Sequence, residues 1–236
     1  MPAEANISTA LLLGLLLGMK HALDADHIVA ITTIVSRSRS ILHSLRVGLT
    51  WGIGHTLTLF VVGFGVLVLK LGIPDRLALS MEFAVGLLLV VLGVPLLWRL
   101  MVSKTHAHSH QHAGKSHLHA HAHSYTPNHD HSHVRRSLLM GMLHGLAGSG
   151  ALTLLALSTM SSVVQGLFFL LVFGVGSILG MLVFSGLISL PFRITTMFSL
   201  RLNLWFQGVA GCISIVLGIL IMWQTVFAGD LFHFTS

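Results

Sequence analysis

The run Lys20-His21-Ala22-Leu23-Asp24-Ala25-Asp26-His27 sets two imidazoles, two carboxylates and an amine inside an otherwise apolar stretch. Ile7–Met19 precedes it and Ile28–Val35 follows. An ionisable group at mid-bilayer depth costs on the order of 3 kcal/mol. Pairing Lys20 with Asp24 at i,i+4 would offset part of that and leave Asp26 and both histidines unexplained. Imidazole nitrogen with carboxylate oxygen is a ligand set suited to nickel, cobalt, zinc or copper(II). A bound divalent ion would also balance charge that lipid cannot solvate. His21, Asp24, Asp26 and His27 are therefore candidate metal ligands. On a regular helix His21, Asp24 and His27 share a broad face while Asp26 points away from it. All four can converge only where the helix is broken, as in membrane proteins that hold ions on discontinuous helices. The spacing predicts a break or π-like distortion between His21 and His27.

Two more histidines fall in apolar surroundings: His55 in Trp51-Gly52-Ile53-Gly54-His55-Thr56, and His144 in Gly141-Met142-Leu143-His144-Gly145-Leu146. Both are candidate ligands completing the site. Met19 and Met142 could supply thioethers but read as packing residues. A second histidine population is of another kind. His106, His108, His110, His112, His117, His119, His121, His123, His129, His131 and His133 stand mostly as His-x-His among Ser, Ala, Gly and Pro127. Such a tract can bind several ions, and without a ligand it is expected to be disordered. We read it as a secondary metal-binding loop, a buffer or delivery arm.

The elements that position these groups are membrane helices. Hydrophobic residues make up 54% of the chain and charged residues only 8%, against about a quarter charged in soluble domains. Apolar stretches near the roughly 20 residues needed to cross a bilayer recur along the chain. Six spans are expected: Ile7–Val35, Leu45–Leu71, Ser80–Leu100, Ser137–Met160, Val163–Leu190 and Leu202–Phe227. The fold class is an all-α polytopic membrane protein. It divides into a first three-helix repeat with the metal motif (1–102), the histidine-rich loop (103–136) and a second three-helix repeat (137–236).

Charge orients these spans. Arg37, Arg39, Arg46, Arg99, Lys104, Lys115, Arg135, Arg136, Arg193 and Arg201 all fall on one side, against Lys70 and Arg76 on the other. The positive-inside rule makes the first side cytoplasmic, with both termini outside. The net charge of +6 thus reflects membrane orientation, and no nucleic-acid partner is expected. Met1–Asn6 lacks the basic start of a signal peptide. The one cysteine, Cys212, cannot supply the paired thiols of a membrane thiol–disulfide electron carrier. No Gly-x4-Gly-Lys-Ser/Thr nucleotide loop is present.

The halves resemble each other in three ordered matches. Gly18–Leu23 aligns with Gly141–Leu146, Trp51–Gly54 with Phe173–Gly176, and the Gly-x6-Gly of Gly86 and Gly93 with that of Gly211 and Gly218. Three spans per repeat would force opposite orientations, and inverted repeats place a site near the midplane between them. His144 stands where His21 stands. Ala147, Ser149 and Gly150 replace Asp24, Asp26 and His27, and Ser177 replaces His55.

The His21-x4-Asp26-His27 spacing resembles the signature of the nickel/cobalt transporter family. Gly54-His55-Thr56 is similar to its second-helix Gly-His-Ser/Thr element. Gly141–Gly150 is similar to the fourth-span segment of its shorter, urease-associated branch. The resemblance implies uptake of Ni²⁺ or Co²⁺ at the bacterial inner membrane, with no prosthetic group and no enzyme activity. The expected partners are the metal ion, the lipid bilayer, and nickel chaperones or urease maturation proteins in the cytoplasm. The long histidine loop is similar to one in nickel/cobalt exporters, so efflux stays open beside uptake, as does a metal sensor or metallochaperone anchor without flux. An inside-negative potential contributes about 2.3 kcal/mol per charge per 100 mV, which favours uptake of a divalent ion.

Overall fold

The computed structural model describes residues 2–38, 40–71, 74–102, 107–112, 115–120, 135–146 and 162–228. In chain order these form α1 (Pro2–His21), α2 (Ala25–Val35), α3 (Ile41–Leu69), α4 (Asp75–Val102), strands β1 (Ala107–His112) and β2 (Lys115–Ala120), and α5 (135–146). They continue with α6 (Val163–Phe198) and α7 (Leu200–Trp223), which runs on into a π-helical turn at Gln224–Ala228. Among the described residues four helices are long and apolar enough to cross a membrane: Ile41–Leu69, Asp75–Val102, Val163–Phe198 and Leu200–Phe227. Their outward faces carry Leu57, Val61, Val91, Trp205 and Val216, all exposed. So continuous an apolar surface marks contact with lipid rather than water.

Six spans were expected, and the differences have local causes. The first stretch is not one helix: α1 ends at His21 and α2 begins at Ala25. This is the interruption the ligand spacing requires. Of the expected Ser137–Met160 span only residues to 146 are among those described. The helix of the fifth expected span, α6, runs past the expected end at Leu190 to Phe198, so Arg193 lies within α6 and Arg201 within the first turn of α7. The only residue between these helices is Ser199. It ends α6, and its side chain accepts a hydrogen bond from the Leu202 N–H to cap α7, a role suited to serine. Pro191 lies inside α6. Its carbonyl accepts a hydrogen bond from the Thr195 hydroxyl, and the Phe192 carbonyl accepts one from Asn203 Nδ2. Side chains thus engage the backbone beside the proline, which is how membrane helices tolerate one.

The histidine-rich stretch, expected to be without fixed structure, contains an antiparallel hairpin over its described part. The β1–β2 register sets His108 opposite His119 and His110 opposite His117.

Packing is close and built on small residues. α3 and α1 lie against α6, and α4 lies against α7. In the α4–α7 pair, Gly86 faces Gly218 and Gly93 faces Gly211. Ser214 Oγ donates to the buried Leu89 carbonyl at 2.7 Å. Gly18 abuts the backbone of Phe173, and Gly141 abuts that of Trp51. A Cβ at either position would run into a carbonyl oxygen, which cannot yield as a side-chain tip can. We expect Gly141→Val to cost about 1–3 kcal/mol through overpacking and to lower the melting temperature in detergent by several degrees. Gly208→Ala is the matched control, because its Cβ would meet only Leu100 Cδ1 at 3.8 Å. Equal melting of the two variants would contradict the packing.

Candidate metal site

The site is built at the break between α1 and α2. The chain leaves α1 through a tight turn in which Leu23 N–H donates to the Lys20 carbonyl and Asp24 N–H to that of His21, at 2.8 and 3.0 Å. Asp24 then takes extended dihedrals at the N-cap of α2, but its side chain makes no cap bond. Instead its Oδ2 lies 2.7 Å from His21 Nδ1. Asp24 therefore pairs with His21 and not with Lys20. Asp26 sits in the first turn of α2, where the helix dipole favours a carboxylate.

Asp26 ties the cluster together. Its Oδ1 accepts from the His27 backbone N–H at 2.9 Å and lies 3.0 Å from His27 Nδ1. Its Oδ2 lies 2.9 Å from His144 Nε2 on α5. His21 Nε2 is 3.2 Å from His55 Nε2 on α3. The rings are in contact: His27 lies 4.7 Å from His21, 5.0 Å from His55 and 4.3 Å from His144, between centroids. His27, His55 and His144 are buried.

The carboxylates decide which nitrogens are left for a ligand. An ionised carboxylate only accepts, so Nδ1–H of His21 donates to Asp24 and Nδ1–H of His27 donates to Asp26. That leaves the Nε2 lone pairs of His21 and His27 directed away from the carboxylates. Among the described residues, His27 Nε2, His55 Nδ1 and His144 Nδ1 are buried without a hydrogen-bond partner, as are Trp51 Nε1 and Ser177 Oγ. Buried polar atoms without partners are uncommon in native folds, and a nitrogen lone pair among other imidazoles suits a cation. Two nitrogens each bound to one ion at about 2.0–2.1 Å lie about 3 Å apart, close to the separation of His21 and His55.

Among the described residues two overlapping groups could hold an ion: His21, His27 and His55, and Asp26, His27 and His144. In each, one ligand atom from every residue lies within 4.8 Å of the others. His27 belongs to both. Five of the six sequence-derived ligands therefore fall in these groups. Asp24 lies outside both, about half exposed at 51% against 30% for Asp26, in the position of a carboxylate that orients a ligating histidine.

Trp51 lies beside the cluster without having been singled out as a site residue. The indole of Trp51 lies 5.6 Å from the His144 ring. One turn before His55, it reads from sequence as a core aromatic. Of the loop histidines, His108, His110, His112, His117 and His119 are in the hairpin strands. His106, His121, His123, His129, His131 and His133 lie outside the described residues.

Long apolar helices around a buried histidine–aspartate cluster define a helical membrane protein with a site fit for a metal cation. The chain is 38% identical over 229 residues, 97% of its own length and 97% of the relative's, to the urease accessory protein UreH of Bacillus sp. (strain TB-90). It belongs to the family of that protein. No family model and no solved structure matches it.

The geometry carries its own test. Asp26→Ala would leave the donors of His27 and His144 buried without an acceptor, at a cost of about 1–3 kcal/mol. We expect a clear fall in melting temperature in detergent with chelator present, partly restored in Asp26→Asn. Asp24→Ala, at a half-exposed position, is expected to melt within a degree or two of the parent. Equal melting of Asp26→Ala and Asp24→Ala would contradict the linking role.

Proposed function

We propose that the protein is a permease that carries a divalent transition-metal ion, Ni²⁺ in the first place and Co²⁺ in the second, into the cytoplasm across the bacterial inner membrane. The observation that carries this reading is the convergence of His21, His27 and His55 at the α1–α2 break, with Asp24 and Asp26 on the outward ring nitrogens of two of them. Carboxylate–histidine pairing of this kind raises ligand basicity and fixes the tautomer. The role named for the relative, accessory to urease, fits delivery of nickel.

The transport cycle we propose is alternating access between two inverted three-helix repeats. Several contacts support the repeats because they occur in exchanged pairs. Gly18 meets Phe173 as Gly141 meets Trp51, and Gly54 meets Leu138 as Gly176 meets Leu15. Matching contacts that swap between halves are what a pseudo-twofold relation produces. The outward route passes half-exposed Asp24. On the inward side Ala30, Ile31, Val47 and Trp51 are buried in one apolar cluster that would have to part for release. The histidine-rich loop then acts as a cytoplasmic buffer or a handover arm for nickel chaperones or urease maturation proteins. The pairing of histidine with histidine in the hairpin register supports that role.

Uptake of ⁶³Ni into proteoliposomes, with cobalt and zinc as competitors, tests the reading. His27 is shared by both ligand groups, so His27→Ala is expected to abolish saturable uptake. Asp24→Asn is expected to weaken it roughly 10–100-fold, as for other partners of metal-ligating histidines. Equal flux in the parent and His27→Ala would remove the site assignment. Outward-only flux would make the protein an efflux permease, and binding without flux a sensor. Deleting residues 105–133 should change how cells handle nickel and leave binding at the helix break intact. Loss of high-affinity binding in the deletion would overturn this division of labour.

A further inference from the structure

A cavity of about 600 Å³ opens at the end of the bundle where α4 finishes, the histidine-rich segment departs, and α5 begins. Arg37 from the α2–α3 connection, Arg99 from the last turn of α4 and Arg136 from the start of α5 line it, with His43, Ser38 and Ser40. No carboxylate of the described residues lines it. Among described residues Asp24 and Asp26 lie at the opposite end of α2. Asp75 and Glu82 precede Arg99 on α4 by 24 and 17 residues, about 36 and 26 Å along a helix at 1.5 Å per residue. Partial desolvation lowers the pKa of Arg37, and the like charge of Arg99 adds to it. The lining therefore carries three permanent positive charges with no counter-charge among the described residues that line it, beside the N-terminus of α3, whose helix dipole adds to the field. A concave site of one sign concentrates ions of the other.

We propose that this cavity is an anion site for a phosphate-type oxyanion, engaged by Arg37, Arg99 and Arg136 with the hydroxyl of Ser40. Guanidinium groups are matched to such oxygens by their paired N–H donors, and the volume falls in the range of small-ligand sites. The anion comes either as the headgroup of an acidic phospholipid, which basic pockets between membrane helices bind, or as free phosphate. The placement also bears on a cation. Thr33, on the cavity wall, follows His27 by six residues on α2, about 9 Å along the axis. Unneutralised, the arginines would repel a divalent ion leaving by this side. The site stands independently of metal binding, and its test uses no metal.

The experiment is thermal melting of the full-length protein in uncharged detergent. One arm compares inorganic phosphate with chloride at equal ionic strength, and the other compares phosphatidylglycerol with phosphatidylcholine. The parent is expected to melt several degrees higher with phosphate, with phosphatidylglycerol, or with both. A shift in the lipid arm alone identifies a headgroup, and a shift in the phosphate arm identifies the free anion. In R37Q/R99Q the half-saturating concentration should rise at least about tenfold, the loss expected for a charged hydrogen bond. R37K/R99K should recover part of the response. R136Q, changed at the exposed start of α5, gives the same reading should the double variant not fold, with a rise of at least threefold. No shift in either arm for the parent, or parent-like half-saturation in the foldable glutamine variants, overturns the proposal.

Discussion

A carboxylate cannot sit among apolar helices unless its oxygens are engaged, and Asp26 has both engaged by histidines from different helices. That requirement reaches far into the fold. Oδ1 holds His27 on the same helix, and Oδ2 reaches across to His144 on α5, so α2 and α5 have one permitted separation at this level. The positive start of α2 must also lie at Asp26, which demands that α1 stop short. The break at Ala22–Asp24 is therefore not a defect in a hydrophobic helix. It places a carboxylate at a helix N-terminus in mid-stretch, something an unbroken helix cannot do.

The close helix contacts follow from the same constraint. Imidazoles within about 5 Å of one another need backbones that approach as near as small residues allow. α5 comes up to α3 through Gly141 and Gly145, the latter against the His55 backbone, and α1 comes up to α6 through Gly18. Larger residues at these crossings would push His144 away from Asp26, or His21 away from His55, by more than a hydrogen bond tolerates. Packing and the geometry of the cluster are thus one problem, solved by glycines placed within a turn of His21 and His144.

Much of this was legible in the chain because ionisable residues stand out against apolar surroundings. His21, Asp26, His27, His55 and His144 were found by depth and type, and the break by an impossible spacing on a regular helix. The role of Asp24 was not legible, since two aspartates two residues apart are alike in sequence. Only the extended backbone at Asp24, which turns its carboxylate onto the outer nitrogen of His21, separates them. The Asp26–His144 contact spans 118 residues and leaves no local trace. The continuation of α6 through Pro191 and Arg193 was invisible to hydropathy, because side chains at Thr195 and Asn203 engage the backbone there. Arg37, Arg99 and Arg136 read from sequence only as markers of sidedness; their convergence on one cavity belongs to tertiary structure.

The proposed duplication gives the asymmetry of the site a physical sense. His21 and His144 occupy equivalent places, yet each turns to the first half: His21 to His55 and Asp24, His144 to Asp26. Ser177, which stands where His55 stands, is buried with its hydroxyl unpartnered. A symmetric arrangement would have carried four carboxylates into the bundle, at on the order of 3 kcal/mol each before pairing. One ion carries only two positive charges to balance them. On the proposed reading, keeping the backbone plan in both halves and the acidic groups in one matches the charge of the site to that of a single divalent ion. Among the described residues His144 is the one candidate ligand from the second half, so the proposed rocking of one half against the other would strain or break its bond to Asp26. In that cycle the Asp26–His144 pair would couple occupancy of the site to the relative position of the halves.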